Sequence, residues 1–427
     1  MNVNTTATLE RVYDIRQRKI LSKIVDKDTT ITLEGRDPLE NTMVLNMGPQ
    51  HPATHGVLRV LLRLDGETVE KCVPELGYLH RGYEKLGENI TYHEFLPHTD
   101  RLDYLSPLSN NVAFAMAVEK AAGIEIPERA IWIRTLICEL ARISSHLMAM
   151  GAMAMDCGAV TMLLWTFRER EKLYDVFERI CGARFTTSYT RIGGVANDFP
   201  PEVIPMIRQF IDEFPGHLKE FEGLINRNRI FVERVAGIGV VTRDEAIALG
   251  LTGACLRGSG VPHDLRRDEP YLLYDSLDFD VITHNDGDCL ARYLVRGAEM
   301  KESVKIVRQL IGGRIPEGPI MANDAQHVLP GKTEIYTKME ELIHDFMLIN
   351  FGTMPEPGEI YSAIEAPKGE LGFYIVSDGT GHPWRLKIRS PSFCNLQSLT
   401  PMCEGAMISD VVAIIGSIDP VMGEADK

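Results

Sequence analysis

One stretch of the sequence, Ile143 to Phe167, contains no Lys, Arg or Glu and a single acidic residue, Asp156. Within this stretch, thirteen uncharged residues precede Asp156 and eleven follow it. A carboxylate near the centre of a membrane-spanning helix would cost about 3 kcal/mol. We therefore predict that the stretch is a buried helix of a water-soluble fold, and that no segment of the chain crosses a membrane.

Asp156 is consequently the first candidate functional residue. An isolated buried carboxylate is unfavourable because it loses its hydration. Either a partner side chain holds Asp156 or the function of the protein requires it there. The sequence pattern is compatible with both interpretations.

The size and charge of the chain limit the number of its domains and the kinds of partner it can bind. With 427 residues and 44% apolar side chains, it is long enough for one large domain or two closely joined ones. Acidic residues outnumber basic ones, 60 to 45, and the formal net charge is -15. An acidic surface repels phosphate backbones, so the composition argues against nucleic-acid binding.

The eight cysteines are widely spaced. No two are arranged as Cys-x-x-Cys, and the closest pair, Cys394 and Cys403, is nine positions apart. The usual ligand pattern of a zinc ribbon or an iron–sulfur site is missing, so we expect this chain alone to bind no metal. The segment Met1 to Glu10 lacks the apolar core of a signal peptide, which favours reduced thiols over disulfides.

The pattern of apolar residues predicts an α+β fold that is predominantly α. We predict an N-terminal arm over residues 1–40, an N-terminal α/β region over 41–105, a central helix bundle over 106–350, and a C-terminal β-containing region over 351–427 that returns to the bundle. The bundle is predicted from apolar residues at helical spacing. Such stretches run over Val160–Cys181, Val203–Val235, Cys289–Ile311 and Lys332–Leu348.

Two helix starts are marked in the sequence. Ser106-Pro107 predicts one, because Ser is a favoured N-cap and Pro is favoured in the first turn. Gly123 suits the end of that helix. Pro127 predicts the start of the next.

Small flanking sheets are predicted near both termini. Alternation around an Asp-Gly pair predicts a hairpin. Before Asp65-Gly66, alternation with Arg59 and Arg63 is shown by Leu58, Val60, Leu62 and Leu64, and after it come Val69, Lys71 and Val73. Near the other end, Leu371 to Val376 and Trp384 to Ile388 are typical of strands.

The loop before the predicted hairpin, from Gly48 to Gly56, contains two prolines and two glycines that restrict its shape. His55 lies in this loop. Because shaped loops on rigid scaffolds often place side chains against ligands, His55 is a candidate binding residue. The alternative, more common for a loop histidine, is a solvated or turn-stabilising role.

Tyr104 lies two residues before the predicted N-cap Ser106. The positive end of that helix would favour negative charge on a bound oxygen or on the phenol itself. The alternative is a packed tyrosine whose hydroxyl is satisfied. The charged run from His80 to Lys85 is most simply a solvated face.

These residues lie in segments that resemble a known family, the 49 kDa-type (or D-type) subunits of respiratory complex I, which are related to the large subunit of nickel–iron hydrogenases. Several motifs that match in the family's order are more specific than one short pattern. The resemblance runs from about Asn41 to the last residue. Its motifs are Met47–Arg59, Leu79–Lys85, Asp100–Tyr104, Ile192–Val195, Leu256–Gly260 and Gly423-Glu424.

The resemblance implies a nickel–iron hydrogenase large-subunit-like fold and a site for the headgroup of a quinone substrate. In the family, a histidine and a tyrosine bind the headgroup, and an aspartate pairs with the histidine. The matching positions are His55, Tyr104 and Asp156. We expect these three to be the catalytic residues.

The resemblance also implies that electrons come from a terminal [4Fe–4S] cluster on a partner subunit. Arg81 matches a family arginine that lies beside this cluster. Thr186 stands where many members have a histidine that contributes to the pH dependence of the cluster potential. We therefore predict a lower and less pH-dependent potential, which suits a low-potential quinone such as menaquinone, whereas the sequence itself does not distinguish menaquinone from ubiquinone.

Nickel–iron hydrogenases hold their metals with two Cys-x-x-Cys pairs. The matching positions in this chain are Asp103, Ser106, Val421 and Glu424, and none is cysteine. Without four thiolates the nickel–iron centre cannot be held, so we expect no hydrogen chemistry. The resemblance implies that the quinone occupies the vacated region.

The family would make the chain a peripheral subunit of a proton-pumping NADH–quinone oxidoreductase, on the cytoplasmic side of the bacterial inner membrane and inactive in isolation. The expected partners are the terminal-cluster subunit, a C-type subunit, the ferredoxin-like subunit and the quinone-channel membrane subunit. Two alternatives are the same role in a complex fed by ferredoxin or another donor, and a non-catalytic structural subunit.

Overall fold

The computed structural model describes residues 42–427, and the predicted arm over residues 1–40 lies outside the described residues. Most of the described chain is helical, with small antiparallel sheets near its two ends. The prediction of a predominantly helical α+β fold is confirmed. The region boundaries and the likeness to nickel–iron hydrogenases stay predictions.

The strands pair only with antiparallel neighbours within residues 42–427. In each three-stranded sheet the strands follow the order of the sequence, β1-β2-β3 and β6-β7-β8. Between these sheets in the sequence, β4 and β5 form a two-stranded ribbon with two residues in each strand. The strands are β1 (Thr42–Met47), β2 (Arg59–Asp65), β3 (Thr68–Glu75), β4 (Thr190–Arg191), β5 (Gly194–Val195), β6 (Gly358–Ala366), β7 (Gly369–Ser377) and β8 (Arg385–Arg389).

The helices occupy most of the chain between and after these sheets. They are α1 (Tyr83–Gly87), α2 (Tyr92–Thr99), α3 (Pro107–Ala122), α4 (Glu128–Asp156), α5 (Val160–Cys181), α6 (Val203–Ile225), α7 (Arg229–Val235), α8 (Arg243–Ala248), α9 (Ala254–Arg257), α10 (Leu265–Asp268), α11 (Cys289–Gly312), α12 (Lys332–Thr337), α13 (Met339–Phe351), α14 (Pro391–Asn395), α15 (Leu399–Cys403), α16 (Ile408–Ile418) and α17 (Met422–Ala425). Short 3-10 turns cover Pro52–Thr54, Tyr274–Ser276 and Leu396–Ser398.

The predicted hairpin is confirmed. Strands β2 and β3 pair with Leu62 opposite Cys72 and Asp65 opposite Thr68, so the turn falls at Gly66. The residues of β2 that face the bundle are buried and alternate with more exposed ones. Strand β1, which pairs with the outer edge of β2, was not predicted.

Helix α3 begins and ends where the sequence predicts. Ser106 is its N-cap residue and Gly123 ends it with a φ of 68°, a conformation that glycine adopts without strain. The capping interaction itself is different from the prediction. The Ser106 hydroxyl donates to the Ser109 hydroxyl at 2.9 Å and caps no backbone N–H group.

The prediction of one buried helix over Ile143 to Phe167 is wrong. Helix α4 ends at Asp156, the chain turns at Gly158, and α5 begins at Val160. Gly158 has a φ of 95°, a conformation that side chains other than glycine rarely adopt, and this allows the turn. The stretch is also only partly buried, because Val160 and Leu164 are 55% and 65% exposed.

Other predicted helices are interrupted in the same way. The stretch predicted over Val203–Val235 forms α6 and α7, separated at Asn228, whose side chain caps α7 by accepting from the N–H group of Ile230. The stretch predicted over Lys332–Leu348 forms α12 and α13, separated at Lys338. The C-terminal strands are confirmed, but strand β6 was not predicted.

Two apolar cores hold these elements together. The larger core joins the N-terminal sheet to the bundle, where α4 packs against α5 and α11. The smaller one lies between the C-terminal sheet and α3, where the rings of Phe114 and Phe373 pack edge to face at 5.3 Å. Between residues 42 and 427, no helix is both long and apolar enough to cross a membrane.

The bundle also contains buried ionised side chains that sequence analysis did not single out. The Arg257 guanidinium donates to Glu299 of α11 and to Glu365 of β6, at 2.7 Å each. His146 of α4 hydrogen-bonds the second oxygen of Glu299 at 2.8 Å. Burial lowers the pKa of His146 to about 4, so this imidazole is neutral at pH 7. These contacts tie the long helices to the C-terminal sheet.

Candidate functional site

The loop that carries His55 has a defined shape. The buried Thr54 hydroxyl donates to the carbonyl oxygen of His51 at 2.8 Å, which closes a tight turn. His55 itself has a φ of 49°, in the left-handed region that non-glycine residues seldom adopt. The turn over Pro52–Thr54 packs against α16. The loop therefore presents the His55 side chain from a fixed position.

His55 and Asp156 form a hydrogen-bonded pair. The Nε2 atom of His55 lies 2.8 Å from Oδ2 of Asp156, and the two side chains are 11% and 5% exposed. Asp156 is the last residue of α4, where the helix dipole adds partial negative charge. A hydrogen-bond donor at this point compensates both the carboxylate and the helix end. The expected pairing is present, and Asp156 is not an isolated acid.

Helix α16 leaves room for the Asp156 carboxylate. A Cβ atom at Gly416 would lie 3.2 Å from Oδ2 of Asp156, a distance tighter than ordinary packing. Any larger side chain at this position would press on the His55–Asp156 pair.

The residues that follow α16 contact both candidate sites of the N-terminal region. A Cβ atom at Gly56 would lie 3.4 Å from Cγ of Met422. A Cβ atom at Gly423 would lie 3.3 Å from Cδ1 of Tyr104 and only 2.5 Å from the Leu102 carbonyl oxygen. Because Met422 and Gly423 are adjacent, they place the His55 loop and Tyr104 in one region of the fold.

Tyr104 is half-buried, and its ring lies 6.2 Å from the exposed ring of Phe185. Within residues 42–427, the Tyr104 hydroxyl forms no hydrogen bond to the protein. Burial raises its pKa, and the carboxylates of Asp103 and Asp419 raise it further. The prediction that the start of α3 would favour a negative phenol is therefore opposed by these acids. The phenol is held in its protonated form and can donate.

Beside Tyr104 lies a group of five buried ionisable side chains, of which sequence analysis grouped only Asp103 and Glu424, through the family resemblance. We call it the buried acidic cluster; its members are Asp103, Arg170, Lys368, Asp419 and Glu424. The Lys368 ammonium forms an ion pair with Asp419. The Glu424 carboxylate accepts from the backbone N–H group of Ser392 at 3.0 Å and from its hydroxyl.

Two carboxyl groups of this cluster influence each other. Burial raises the pKa of Glu424 to about 8, and the nearby Asp103 contributes to the rise. Burial raises the pKa of Asp103 as well, while Lys368 acts in the opposite direction. Both groups therefore resist ionisation, as expected for like charges that share a dry site.

Comparison with known proteins decides the family. Residues 156–427 match the family described as respiratory-chain NADH dehydrogenase, 49 Kd subunit. A D-type subunit of NADH-quinone oxidoreductase from Chloroherpeton thalassium is 60% identical over 411 residues, which cover 96% of this chain and 93% of the relative. The D-type subunit of the same enzyme from Salinibacter ruber is 60% identical over 392 residues, or 92% and 87% of the two chains.

The chain belongs to the 49 kDa subunit family of complex I. It is a subunit of the NADH–quinone oxidoreductase complex, of the D type, as the resemblance of its motifs predicts. The D-type subunit of Methylacidiphilum infernorum is a further relative, 55% identical over 390 residues that cover 91% of this chain and 93% of the relative.

The 49 kDa family motif around Arg81 is only partly the solvated face predicted from the sequence. Arg81 is exposed, but Tyr83 beneath it is buried, with the guanidinium 4.4 Å from the centre of the ring. Arg81 also donates to the carbonyl oxygen of Arg101 at 2.7 Å, three residues before Tyr104. The half-buried Thr186 follows Phe185, whose ring faces Tyr104. Arg81 thus lies near the tyrosine, and Thr186 follows a residue whose ring lies near it.

The four positions that the family resemblance aligns with the hydrogenase cysteines are all buried; they are Asp103, Ser106, Val421 and Glu424. The early and late positions adjoin, because Gly423 packs against the carbonyl oxygens of Arg101 and Leu102. In the part of the chain from residue 42 onward, no three His, Cys, Asp or Glu side chains are arranged to hold a metal ion.

Proposed function

We propose that this chain forms the quinone-reducing site of complex I, with the headgroup between His55 and Tyr104. The observation that carries the proposal is that two adjacent residues contact the two sites: Met422 contacts the His55 loop, and Gly423 contacts Tyr104. The half-buried phenol lacks a protein partner within residues 42–427, which leaves its O–H group for a ligand.

The two headgroup oxygens have different donors in this proposal. Reduction of a quinone to a quinol creates two basic oxygens that must gain two protons. Tyr104 donates its hydroxyl proton to one of them. His55, as an imidazolium paired with Asp156, donates a charge-assisted hydrogen bond and then a proton toward the other.

Proton transfer from His55 changes the charge around Asp156. The carboxylate then stands unpaired at the negative end of α4, in a nearly buried position. Because an unpaired buried charge is strongly unfavourable, the surrounding elements must rearrange. We propose this relaxation as the origin of the conformational signal to the proton-pumping membrane arm.

The remaining partners follow from the family. We propose that a partner subunit holds the terminal [4Fe–4S] cluster, which supplies electrons one at a time, and that Arg81 and Thr186 face it. The other proposed partners are the C-type subunit, the ferredoxin-like subunit and the quinone-channel membrane subunit. The complex would lie at the cytoplasmic side of the bacterial inner membrane, and this chain would keep the hydrogenase large-subunit architecture without its metals.

Two variants of the assembled complex test this function. His55→Ala and Tyr104→Phe should each lower quinone reduction about 100-fold, the usual contribution of a positioned acid, while electron transfer to an artificial acceptor upstream is unchanged. His263→Ala is a matched control, because it removes a histidine from an exposed aspartate pair, with Asp268 at 2.5 Å. Normal quinone turnover in both test variants would refute the assignment.

A further inference from the structure

The buried acidic cluster carries an excess negative charge when all its members are ionised. Asp103, Asp419 and Glu424 then contribute three negative charges, and Lys368 and Arg170 contribute two positive ones. An uncompensated charge among buried groups is strongly unfavourable. Binding one proton makes the cluster neutral.

The three carboxyl groups of the cluster differ in their contacts. Asp419 has its own cation, Lys368. Asp103 and Glu424 have none within ion-pair distance among residues 42–427. Each uses one oxygen as a hydrogen-bond acceptor, Asp103 from the N–H group of Leu105 at 3.0 Å and Glu424 from Ser392.

The second oxygens of these two carboxyl groups have no partner within the described part of the chain. Oδ2 of Asp103 and Oε2 of Glu424 form no hydrogen bond. Both residues are 0% exposed, so bulk water does not supply the missing partner. A buried bare carboxylate oxygen is costly, and protonation removes its charge. Both oxygens belong to residues next to the contact between Gly423 and Tyr104.

We propose that Asp103 and Glu424 together hold one exchangeable proton, and that this proton replaces the one Tyr104 gives to the reduced quinone. The proposal rests on the proposed function, since it requires Tyr104 as the donor. Asp103 and Glu424 do not touch the quinone in this scheme, and they act through Tyr104.

In the proposed step, two proton transfers follow the reduction of the quinone. The quinone gains two electrons from the partner's cluster, the O–H bond of Tyr104 breaks, and its proton joins a quinone oxygen. The carboxyl O–H bond of the pair then breaks, and its proton restores the phenol. The cluster passes from neutral to a net charge of one negative, and a proton from water later resets it. Lys368, Asp419 and Arg170 face the pair, and Arg81 faces the tyrosine.

Infrared spectroscopy of the purified complex tests the stored proton directly. At pH 7 the wild type should show a protonated-carboxyl C=O band that is missing in both Glu424→Gln and Asp103→Asn, because either amide leaves the cluster neutral without a proton. The amide oxygens of the two variants can still accept the hydrogen bonds from Ser392 and Leu105, so we expect the fold to be unchanged. The control Glu404→Gln, at an exposed position, should keep the band.

The pH profile of quinone reduction is the second readout. Wild-type turnover should fall as the pair loses its proton at rising pH, whereas Glu424→Gln should be slower by about 10-fold or more and insensitive to pH in that range. Electron transfer to an upstream artificial acceptor should be unchanged in both. A carboxyl band that persists in Glu424→Gln and Asp103→Asn would overturn the proposal.

The two proposals fail in different ways. If His55→Ala and Tyr104→Phe both have normal quinone turnover, the proposed function is wrong, whatever the infrared result. If Tyr104→Phe is impaired but Glu424→Gln keeps the wild-type pH profile, the proton reserve is wrong and the proposed function stands.

Discussion

Gly423 lies directly against Tyr104, and a Cβ atom at this position would be 3.3 Å from Cδ1 of the tyrosine ring. The same atom would be 2.5 Å from the carbonyl oxygen of Leu102, which is too close for any side chain without movement of the backbone. The C-terminal residues therefore form part of the surface against which Tyr104 packs, although Tyr104 lies more than 300 positions earlier in the sequence.

This contact predicts the effect of Gly423→Ala. The added methyl group must displace the backbone that carries Tyr104, so quinone reduction should fall about 10-fold or more while the upstream electron-transfer activity is kept. Gly216→Ala is the matched control, because nothing lies within 4 Å of a Cβ atom at that position of α6. Steady-state assays of both variants measure the effect. Equal quinone turnover in Gly423→Ala and Gly216→Ala would show that Gly423 does not constrain the position of Tyr104.

The buried ionic contacts predict a large loss of stability in Glu299→Ala. This change removes a partner from the buried Arg257 and from His146, and breaking a buried pair costs about 3 kcal/mol or more. Glu233→Ala, which breaks the exposed i,i+4 pair with Arg229, should cost only about 0.3 kcal/mol. Thermal inactivation of the assembled complex measures both. A smaller shift for Glu299→Ala than for Glu233→Ala would contradict this account of the core.

The burial of His93 predicts that the folded protein loses stability in acid. Burial lowers the pKa of His93 from 6.5 to about 4, so the folded protein holds this residue neutral. As the pH falls below 6.5, the unfolded chain binds the proton first, so stability is full above this pH and is lost toward pH 4, by about 3 kcal/mol.

The variant His93→Gln should remove much of this dependence. Its amide retains a donor for the Thr353 hydroxyl, which lies 2.9 Å from Nε2 of His93. Thermal inactivation of the complex at pH 7 and pH 5 gives the comparison. The difference between the two pH values should be smaller in His93→Gln than in the wild type, and an equal or larger difference would show that His93 is not its source.

Thr186 leads to a prediction for the redox potential of the terminal cluster that we propose on the partner subunit. A threonine does not titrate, so the potential of the partner's terminal cluster should be lower and less dependent on pH than in members with histidine at this position. Redox titration of the assembled complex at two pH values measures this, with Thr186→His expected to raise the pH dependence. A full proton-linked slope with Thr186 in place would show the prediction to be wrong.

The sequence was most informative where a residue departs from its surroundings. Asp156 was conspicuous as a charge within an apolar stretch, and His55 lay in a loop of restricted shape. Their pairing was expected only from the family resemblance, because the two residues are 101 positions apart. The helix break at Gly158 was missed, since a single glycine in an apolar stretch is compatible with both a helix and a turn.

Local sequence patterns did not predict the buried acidic cluster, and the family resemblance grouped only Asp103 and Glu424 of its members. Lys368, Asp419 and Glu424 are each ordinary charged residues in their local context, and such residues are usually exposed. Their burial depends on tertiary contacts, in which the C-terminal residues fold back against Asp103 and Tyr104. Spacing along the chain carries no record of that contact.

A density map of the whole complex with a quinone or a headgroup inhibitor bound tests the central claim most directly. We predict that the headgroup lies between the imidazole of His55 and the hydroxyl of Tyr104, with each side chain within hydrogen-bond distance of a headgroup oxygen. A headgroup that is bound elsewhere, or that contacts neither side chain, would contradict the proposed site.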